Sequence, residues 1–155
     1  MKKGYYPIYI VEDDEDDYLL TLEAFKEAEV NSEVVWVRDG EELLEMLQCG
    51  VSQNQEKGAA SSTVTTAVSL PSLILLDLNL PKKSGREVLA AIKKCDNLKH
   101  IPVVVLSTST AESDIAHAYQ CGVNSFIQKP RRFSELVDVI KGITNYWFGV
   151  VKLPQ

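Results

Sequence analysis

Acidic, hydroxyl and ammonium side chains follow short apolar runs at four places in this sequence. The acidic groups Glu12, Asp13 and Asp14 follow Ile8–Val11, Asp77 follows Leu73–Leu76, Ser107 follows Val103–Leu106, and Lys129 follows Ser125–Gln128. An aspartate after one buried strand is often only a turn or N-cap residue. Four such positions instead indicate parallel strands whose carboxyl ends share one edge, where open α/β sheets build their sites. We therefore expect these groups to converge on Asp77.

The clustered carboxylates predict a divalent metal site. Carboxylates at one sheet edge repel one another, and a hard cation with oxygen ligands relieves that repulsion. Mg²⁺ favours one or two carboxylates together with water and a phosphate oxygen. We expect Asp13 and Asp77 to be direct ligands, with the backbone carbonyl of Asn79 as a third. Glu12 is expected to contribute through a water molecule.

The same groups suit the transfer of a phosphoryl group to a carboxylate. A carboxylate beside a metal can act as the nucleophile and form an aspartyl phosphate. Such transfer requires positioning and charge neutralisation more than acid–base groups. Lys129 would supply a second positive charge and Ser107 a hydroxyl donor, so Asp77 is the predicted nucleophile. The acidic residues at 14–17 are interpreted as a solvated first turn of helix.

Composition restricts the class of protein. The chain has 155 residues, a formal net charge of −6 and a pI near 4.9. This length fits one domain that buries a core without disulfides, and the acidity argues against nucleic-acid binding, which needs a basic face. The three cysteines are widely spaced and are interpreted as reduced packing residues of a cytoplasmic protein. No apolar run approaches membrane-spanning length, so we expect no membrane contact.

Apolar runs alternate with segments of helical period, which predicts an α/β domain whose parallel sheet is covered on both faces. The predicted strands are 8–11, 34–37, 73–77, 103–107 and 125–128. The first predicted helix spans about 16–28, the second follows Asp39-Gly40, and the third spans 85–95. The fourth runs from a capping box at 109–112 to Cys121-Gly122. The fifth starts at about Ser134 and has an apolar stripe that includes Trp147.

Residues 50–69 interrupt this alternation. The segment is rich in Ser, Thr, Gln, Gly and Ala and lacks the apolar content to pack. It is predicted to be a long exposed loop inserted between the second helix and the third strand. We therefore expect one domain over 1–145 and an apolar tail over 146–155.

Four motifs in order resemble the receiver domain of two-component response regulators. They are Val11-Glu12-Asp13-Asp14, Leu76-Asp77-Leu78-Asn79-Leu80-Pro81 with Gly85, Val105-Leu106-Ser107-Thr108, and Phe126-Ile127-Gln128-Lys129-Pro130. The resemblance covers nearly the whole chain up to the fifth helix. It implies a flavodoxin-like (βα)5 fold with five parallel strands and helices on both faces.

The resemblance also implies roles for individual residues. Asp77 would be the phosphoacceptor, Glu12 and Asp13 the acidic pair that holds Mg²⁺, and Ser107 the switch hydroxyl. Phe126 would be the switch aromatic, and Lys129 would precede a proline that the family holds in the cis form. The protein would then be a signalling phosphoacceptor rather than an enzyme, with self-catalysed phosphotransfer from a histidine kinase and slow autodephosphorylation.

Only 25 residues follow Pro130, which is too few for a helix-turn-helix effector. A stand-alone receiver that signals to an unknown downstream protein through protein–protein contacts is therefore expected. The insert and the apolar tail are similar to those of the small response regulators paired with cyanobacterial phytochromes, which implies a phytochrome-type kinase as the donor. The tail is also expected to support a homodimer through the face of the fourth helix, fifth strand and fifth helix; the alternative is that it folds back on its own domain.

Two other classes of function share parts of this pattern. A phosphohydrolase with an aspartyl nucleophile would share the chemistry, but the haloacid dehalogenase pattern has a second aspartate where this chain has Asn79. A flavodoxin-like module that binds a flavin or nucleotide would share the fold, but no glycine-rich phosphate loop follows a strand. Turnover of a small phosphoester would favour the hydrolase, and a yellow purified protein would favour the flavin binder.

Overall fold

Strands and helices alternate along the chain in the computed structural model, which describes residues 6–55, 70–81, 83–109 and 111–153. The strands are β1 (Ile8–Val11), β2 (Val34–Val37), β3 (Leu73–Leu76), β4 (Val103–Ser107) and β5 (Ser125–Gln128). The helices are α1 (Glu15–Glu27), α2 (Gly40–Gln55), α3 (Gly85–Lys94), α4 (Glu112–Gln120) and α5 (Phe133–Asn145), and α5 is followed by a π-helical turn (Tyr146–Val150).

The strands form one parallel sheet in the order β2-β1-β3-β4-β5. The three central strands consist almost entirely of Val, Ile and Leu and are buried along their whole length, as is typical of parallel strands covered on both faces. The predicted doubly wound, flavodoxin-like α/β fold is therefore confirmed. Its topological switch point lies between β1 and β3, where the loops after these two strands meet.

A separate apolar core covers each face of the sheet. On one face Leu47 of α2, Ile92 of α3 and Ala118 of α4 pack together with strand residues. On the other face Phe25 of α1 and Ile140 of α5 do the same. All five side chains are at most 2% exposed, and full burial of a large apolar side chain contributes about 1.5–3 kcal/mol. The two cores thus hold in place the helices whose first turns border the edge of the sheet at the carboxyl ends of the strands.

The structure corrects the prediction at three places, and the other helix ends agree with it to within one or two residues. Strand β3 ends at Leu76, so Asp77 is the first residue of the following loop. Helix α2 continues to Gln55 because glutamine and serine tolerate a helical backbone, so residues 50–55 of the predicted loop are helical, and residues 56–69 lie outside the described ranges. The capping box is also wrong: α4 has Ala111 at its N-cap, because the hydroxyl of Ser109 donates to Asp114 at 2.7 Å.

The apolar tail packs partly on its own domain. Helix α5 carries the predicted stripe of buried residues and continues into the π-helical turn. Trp147 and Phe148 pack against the core beneath α1 and α5. The ring of Phe148 also stacks on Tyr6, with 4.8 Å between ring centroids. Tyr146 and Val150 remain 51% and 66% exposed, so folding back accounts for only part of the tail.

Across the ranges described above, no helix has both the length and the apolar character needed to cross a membrane.

Candidate functional site

The loop after β1 places two acidic residues at the switch point. The backbone N–H of Glu12 donates to Val37 of β2 at 3.0 Å, and its carbonyl accepts from the indole N–H of Trp36 at 2.8 Å. The Glu12 side chain is buried, and its carboxylate accepts the N–H of Asp14 at 3.2 Å. The next residue, Asp13, is exposed. One carboxylate therefore points into the protein and its neighbour toward solvent.

The loop after β3 brings Asp77 beside this pair. The backbone N–H of Asp77 donates to Val11 at 3.1 Å, and its carboxylate accepts the N–H of Asn79 at 3.0 Å. Gly85 is required here by close approach, because a Cβ at Gly85 would lie 2.6 Å from the carbonyl oxygen of Asp77 and 2.6 Å from the Cα of Leu78. The loop is thus held at both ends by backbone contacts.

Glu12, Asp13 and Asp77 form one acidic cluster. A carboxylate oxygen from each of the three lies within 4.8 Å of the other two. Three convergent carboxylate oxygens, of which one is buried and one exposed, fit a hard divalent cation that keeps part of its water shell. The backbone N–H of Asn79 donates to the carboxylate of Asp77 in this cluster. The role of the Asn79 carbonyl as a metal ligand stays a prediction.

Lys129 enters the site from the end of β5. Its backbone N–H donates to the carbonyl of Ser107 at 2.8 Å. Its ammonium lies 3.2 Å from Glu12 and 3.6 Å from Asp17, so its ion pairs are with these two residues, whereas the sequence predicted convergence on Asp77. The described peptide bonds are all trans, so the expected cis proline after Lys129 is wrong for this structure; the ammonium reaches Glu12 with the trans bond.

A small cavity shows that Lys129 and Asp77 nevertheless face the same space. It has a volume of about 10 Å³, and its lining includes Glu12, Asp77, Lys129, Thr21 and Leu106. That volume accommodates about one water molecule.

The buried carboxyl group of Glu12 has a perturbed pKa. Burial raises this pKa from 4.5 to about 7, and the negative charge and hydrogen bond of Asp77 act in the same direction. The ammonium of Lys129 and the N–H of Asp14 oppose the rise without cancelling it. Burial is thus the main cause of the raised pKa of Glu12, and the neighbouring carboxylate of Asp77 adds to it.

The two predicted switch residues lie on neighbouring strands. Ser107 is fully buried at the end of β4, and its hydroxyl oxygen accepts the N–H of Ser109 at 3.2 Å. Phe126 on β5 is half-buried against the core beneath α4, and its N–H donates to the hydroxyl of Tyr119 at 3.2 Å. The hydroxyl of Ser109 in turn donates to Asp114, which forms an ion pair with Arg86. The switch roles of Ser107 and Phe126 stay predictions.

Sequence reasoning did not identify two residues of this site. The sequence predicts Asp17 only as part of a solvated turn, whereas its carboxylate lies 3.6 Å from the ammonium of Lys129. It does so because the first turn of α1 borders the cluster. Trp36 gave no sequence signal, because an aromatic residue in a strand is ordinarily a core residue.

A family model for the response regulator receiver domain matches residues 8–141 of the chain. The chain belongs to the response regulator receiver family. It is 40% identical over 148 residues to response regulator Rcp1 of a Synechocystis strain, a match that covers 95% of this chain and 92% of Rcp1.

Two solved receiver structures are similar to this chain over nearly its whole length. The phosphorylated cyanobacterial phytochrome response regulator RcpA has 45% identity and a TM-score of 0.80, with 98% of this chain and 100% of that chain covered. The Mn²⁺-bound form of Rcp1 has 40% identity and a TM-score of 0.78, with 97% and 99% covered. The predicted family is thus confirmed. Membership of this family favours a signalling receiver over the hydrolase and flavin-binding alternatives.

Proposed function

We propose that this receiver accepts a phosphoryl group on Asp77 from a histidine kinase in the presence of Mg²⁺. The observation that carries the proposal is the convergence of carboxylate oxygens from Glu12, Asp13 and Asp77 within 4.8 Å of one another. The ammonium of Lys129 lies beside this cluster, 3.2 Å from Glu12. An acidic cluster with one adjacent cation suits an incoming dianionic group only when a metal neutralises part of the negative charge.

Each residue of the site has a separate role in the proposed phosphoryl transfer. Asp13 and Asp77, with Glu12 and the carbonyl of Asn79, would hold Mg²⁺, which supplies charge neutralisation at the phosphoryl oxygens. A carboxylate oxygen of Asp77 attacks phosphorus, the P–N bond of the donor phosphohistidine breaks, and the imidazole leaves with a proton from solvent. Lys129 would then move its ammonium from Glu12 toward the new phosphoryl oxygens. Water attack on the same phosphorus would give slow autodephosphorylation.

The switch is proposed to follow from the position of Ser107. Its buried hydroxyl would turn from the N–H of Ser109 toward the phosphoryl group, and Phe126 would move further into the core. If the hydroxyl of Ser107 forms a stronger hydrogen bond in the phosphorylated state than in the unphosphorylated state, the difference in free energy shifts the equilibrium between the two conformations.

The similarity to Rcp1 and RcpA supports a phytochrome-type histidine kinase as the donor, with output by a stand-alone receiver through contact with a downstream protein. A homodimer through the face of α4, β5 and α5 is part of this proposal. Large apolar side chains remain exposed on α4, at the start of α5 and in the tail: Tyr119, Phe133, Tyr146 and Val150. Trp147 and Phe148 pack within the domain, so the exposed residues are the better candidates for contact between copies.

Phosphotransfer from a purified phytochrome-type kinase tests the proposal. Wild-type protein should acquire one phosphoryl group that hydroxylamine removes, and EDTA should prevent the transfer. Asp77→Asn should acquire none, whereas Asp16→Asn, an exposed residue on α1, should behave as wild type. Phosphorylation of the Asp77 variant at the wild-type rate would refute the assignment.

A further inference from the structure

Trp36 donates its indole N–H to the backbone carbonyl of Glu12 at 2.8 Å. We infer that Trp36 is a positioning residue for the metal site, acting through the peptide bond that joins Glu12 to Asp13. The inference rests on the proposed function, because it concerns how these acidic residues hold Mg²⁺.

Strand β2 holds Glu12 by both of its backbone polar groups. The N–H donates to Val37 at 3.0 Å, and the carbonyl accepts from Trp36. The carbonyl belongs to the peptide plane that precedes Asp13, and the orientation of that plane sets the directions of the two acidic side chains. Glu12 is buried and Asp13 exposed, so a rotation of the plane would separate the oxygens that now converge.

The indole ring is itself held in place by residues of α1 and of the loop after β2. It stacks on the buried ring of Tyr18, with 4.4 Å between centroids and 4° between planes. The guanidinium of Arg38 lies 4.5 Å from the centroid of the same ring. A side chain fixed by packing directs its N–H with little freedom, which is the condition for positioning a ligand residue through a hydrogen bond.

A purely structural tryptophan would act through its ring alone. Phenylalanine at position 36 keeps an aromatic ring against Tyr18 and removes the N–H, so it separates packing from the hydrogen bond. Trp147 provides a matched control, because it is the second of the two tryptophans and is likewise half-buried. It packs against the core beneath α1 and α5 rather than against Glu12.

Calorimetric titration with MgCl₂ at constant ionic strength tests the inference on wild-type, Trp36→Phe and Trp147→Phe proteins. We expect Trp36→Phe to bind Mg²⁺ about tenfold more weakly, the lower end of the effect of residues that orient metal ligands. Trp147→Phe should bind as wild type does. Equal affinities in the three proteins would overturn the inference and leave the metal site intact. Absence of binding to wild-type protein would instead overturn the metal site proposed above.

Fluorescence supplies a second readout, and its main measurement uses the Trp147→Phe protein and so does not require the Trp36 variant to fold. In Trp147→Phe protein the emission comes from Trp36 alone, and MgCl₂ should change it with the midpoint found by calorimetry. In Trp36→Phe protein the remaining Trp147 should not respond. Emission from Trp36 that is unchanged at saturating Mg²⁺ would overturn the inference.

Discussion

The raised pKa of Glu12 predicts how the stability of the metal-free protein depends on pH. Its folded-state pKa of about 7 exceeds the ordinary value of 4.5, so the folded protein binds this proton more tightly than the unfolded chain. The stabilisation is complete below pH 4.5 and is lost as pH rises through 7. A difference of this size corresponds to about 3 kcal/mol in the free energy of unfolding, most of it between pH 5 and 8.

The experiment removes divalent ions with EDTA and compares wild-type protein with Glu12→Gln. Glutamine keeps an oxygen that can accept from Asp14 and Lys129 but has no charge to bury. Urea unfolding followed by far-UV circular dichroism at pH 5, 6, 7 and 8 gives the free energy of unfolding. We expect wild-type protein to lose about 2.5 kcal/mol relative to the variant as pH rises from 5 to 8.

Magnesium should oppose that loss, because it binds the ionised cluster and only in the folded state. The stabilisation of wild-type protein by MgCl₂ should therefore be larger at pH 8 than at pH 5. A difference in unfolding free energy between wild type and Glu12→Gln that stays constant from pH 5 to 8 in EDTA would show that Glu12 does not titrate with a raised pKa.

Four further outcomes follow from the site and the tail. Asp13→Ala should abolish the rise in melting temperature with MgCl₂, measured against matched NaCl. Ser107→Ala should still be phosphorylated but should show weaker coupling of phosphorylation to partner binding; equal coupling in both proteins would contradict its switch role. Gly85→Ala should destabilise the fold by about 1–3 kcal/mol in urea unfolding, because its Cβ meets backbone atoms. Sedimentation should show a dimer for the full chain; dimers that persist after truncation at Asn145 would assign the contact to the helical face alone.

The sequence predicted the sheet and the residues that meet at its edge because both depend on local patterns. Runs of mostly Val, Ile and Leu specify the buried central strands, and Glu12, Asp77 and Ser107 each directly follow such a run. The ion-pair partner of Lys129 could not be predicted in this way. Its long side chain can reach several carboxylates, and the packing around it decides which of them it contacts. The same holds for Trp36, whose hydrogen bond joins residues 24 positions apart.

Helix ends were predicted less well because local signals compete. Ser109 has the spacing of a capping residue, yet its hydroxyl bonds Asp114 and leaves Ala111 at the N-cap. The composition of residues 50–55 resembles a loop, but the helix begun at Gly40 includes them. In both cases neighbouring structure decided between conformations that the sequence permits.

The contact between Tyr119 and Phe126 has a consequence for self-association. Strand β5 is an outer strand of the sheet, and outer strands offer unpaired backbone groups to other chains. The hydroxyl of Tyr119 accepts the N–H of Phe126 at 3.2 Å and so occupies one of these groups. The tyrosine therefore protects the sheet from extension by a foreign strand, on the same face where we propose that two copies meet through side chains. Its hydroxyl leaves one backbone donor fewer on β5 for edge-to-edge pairing.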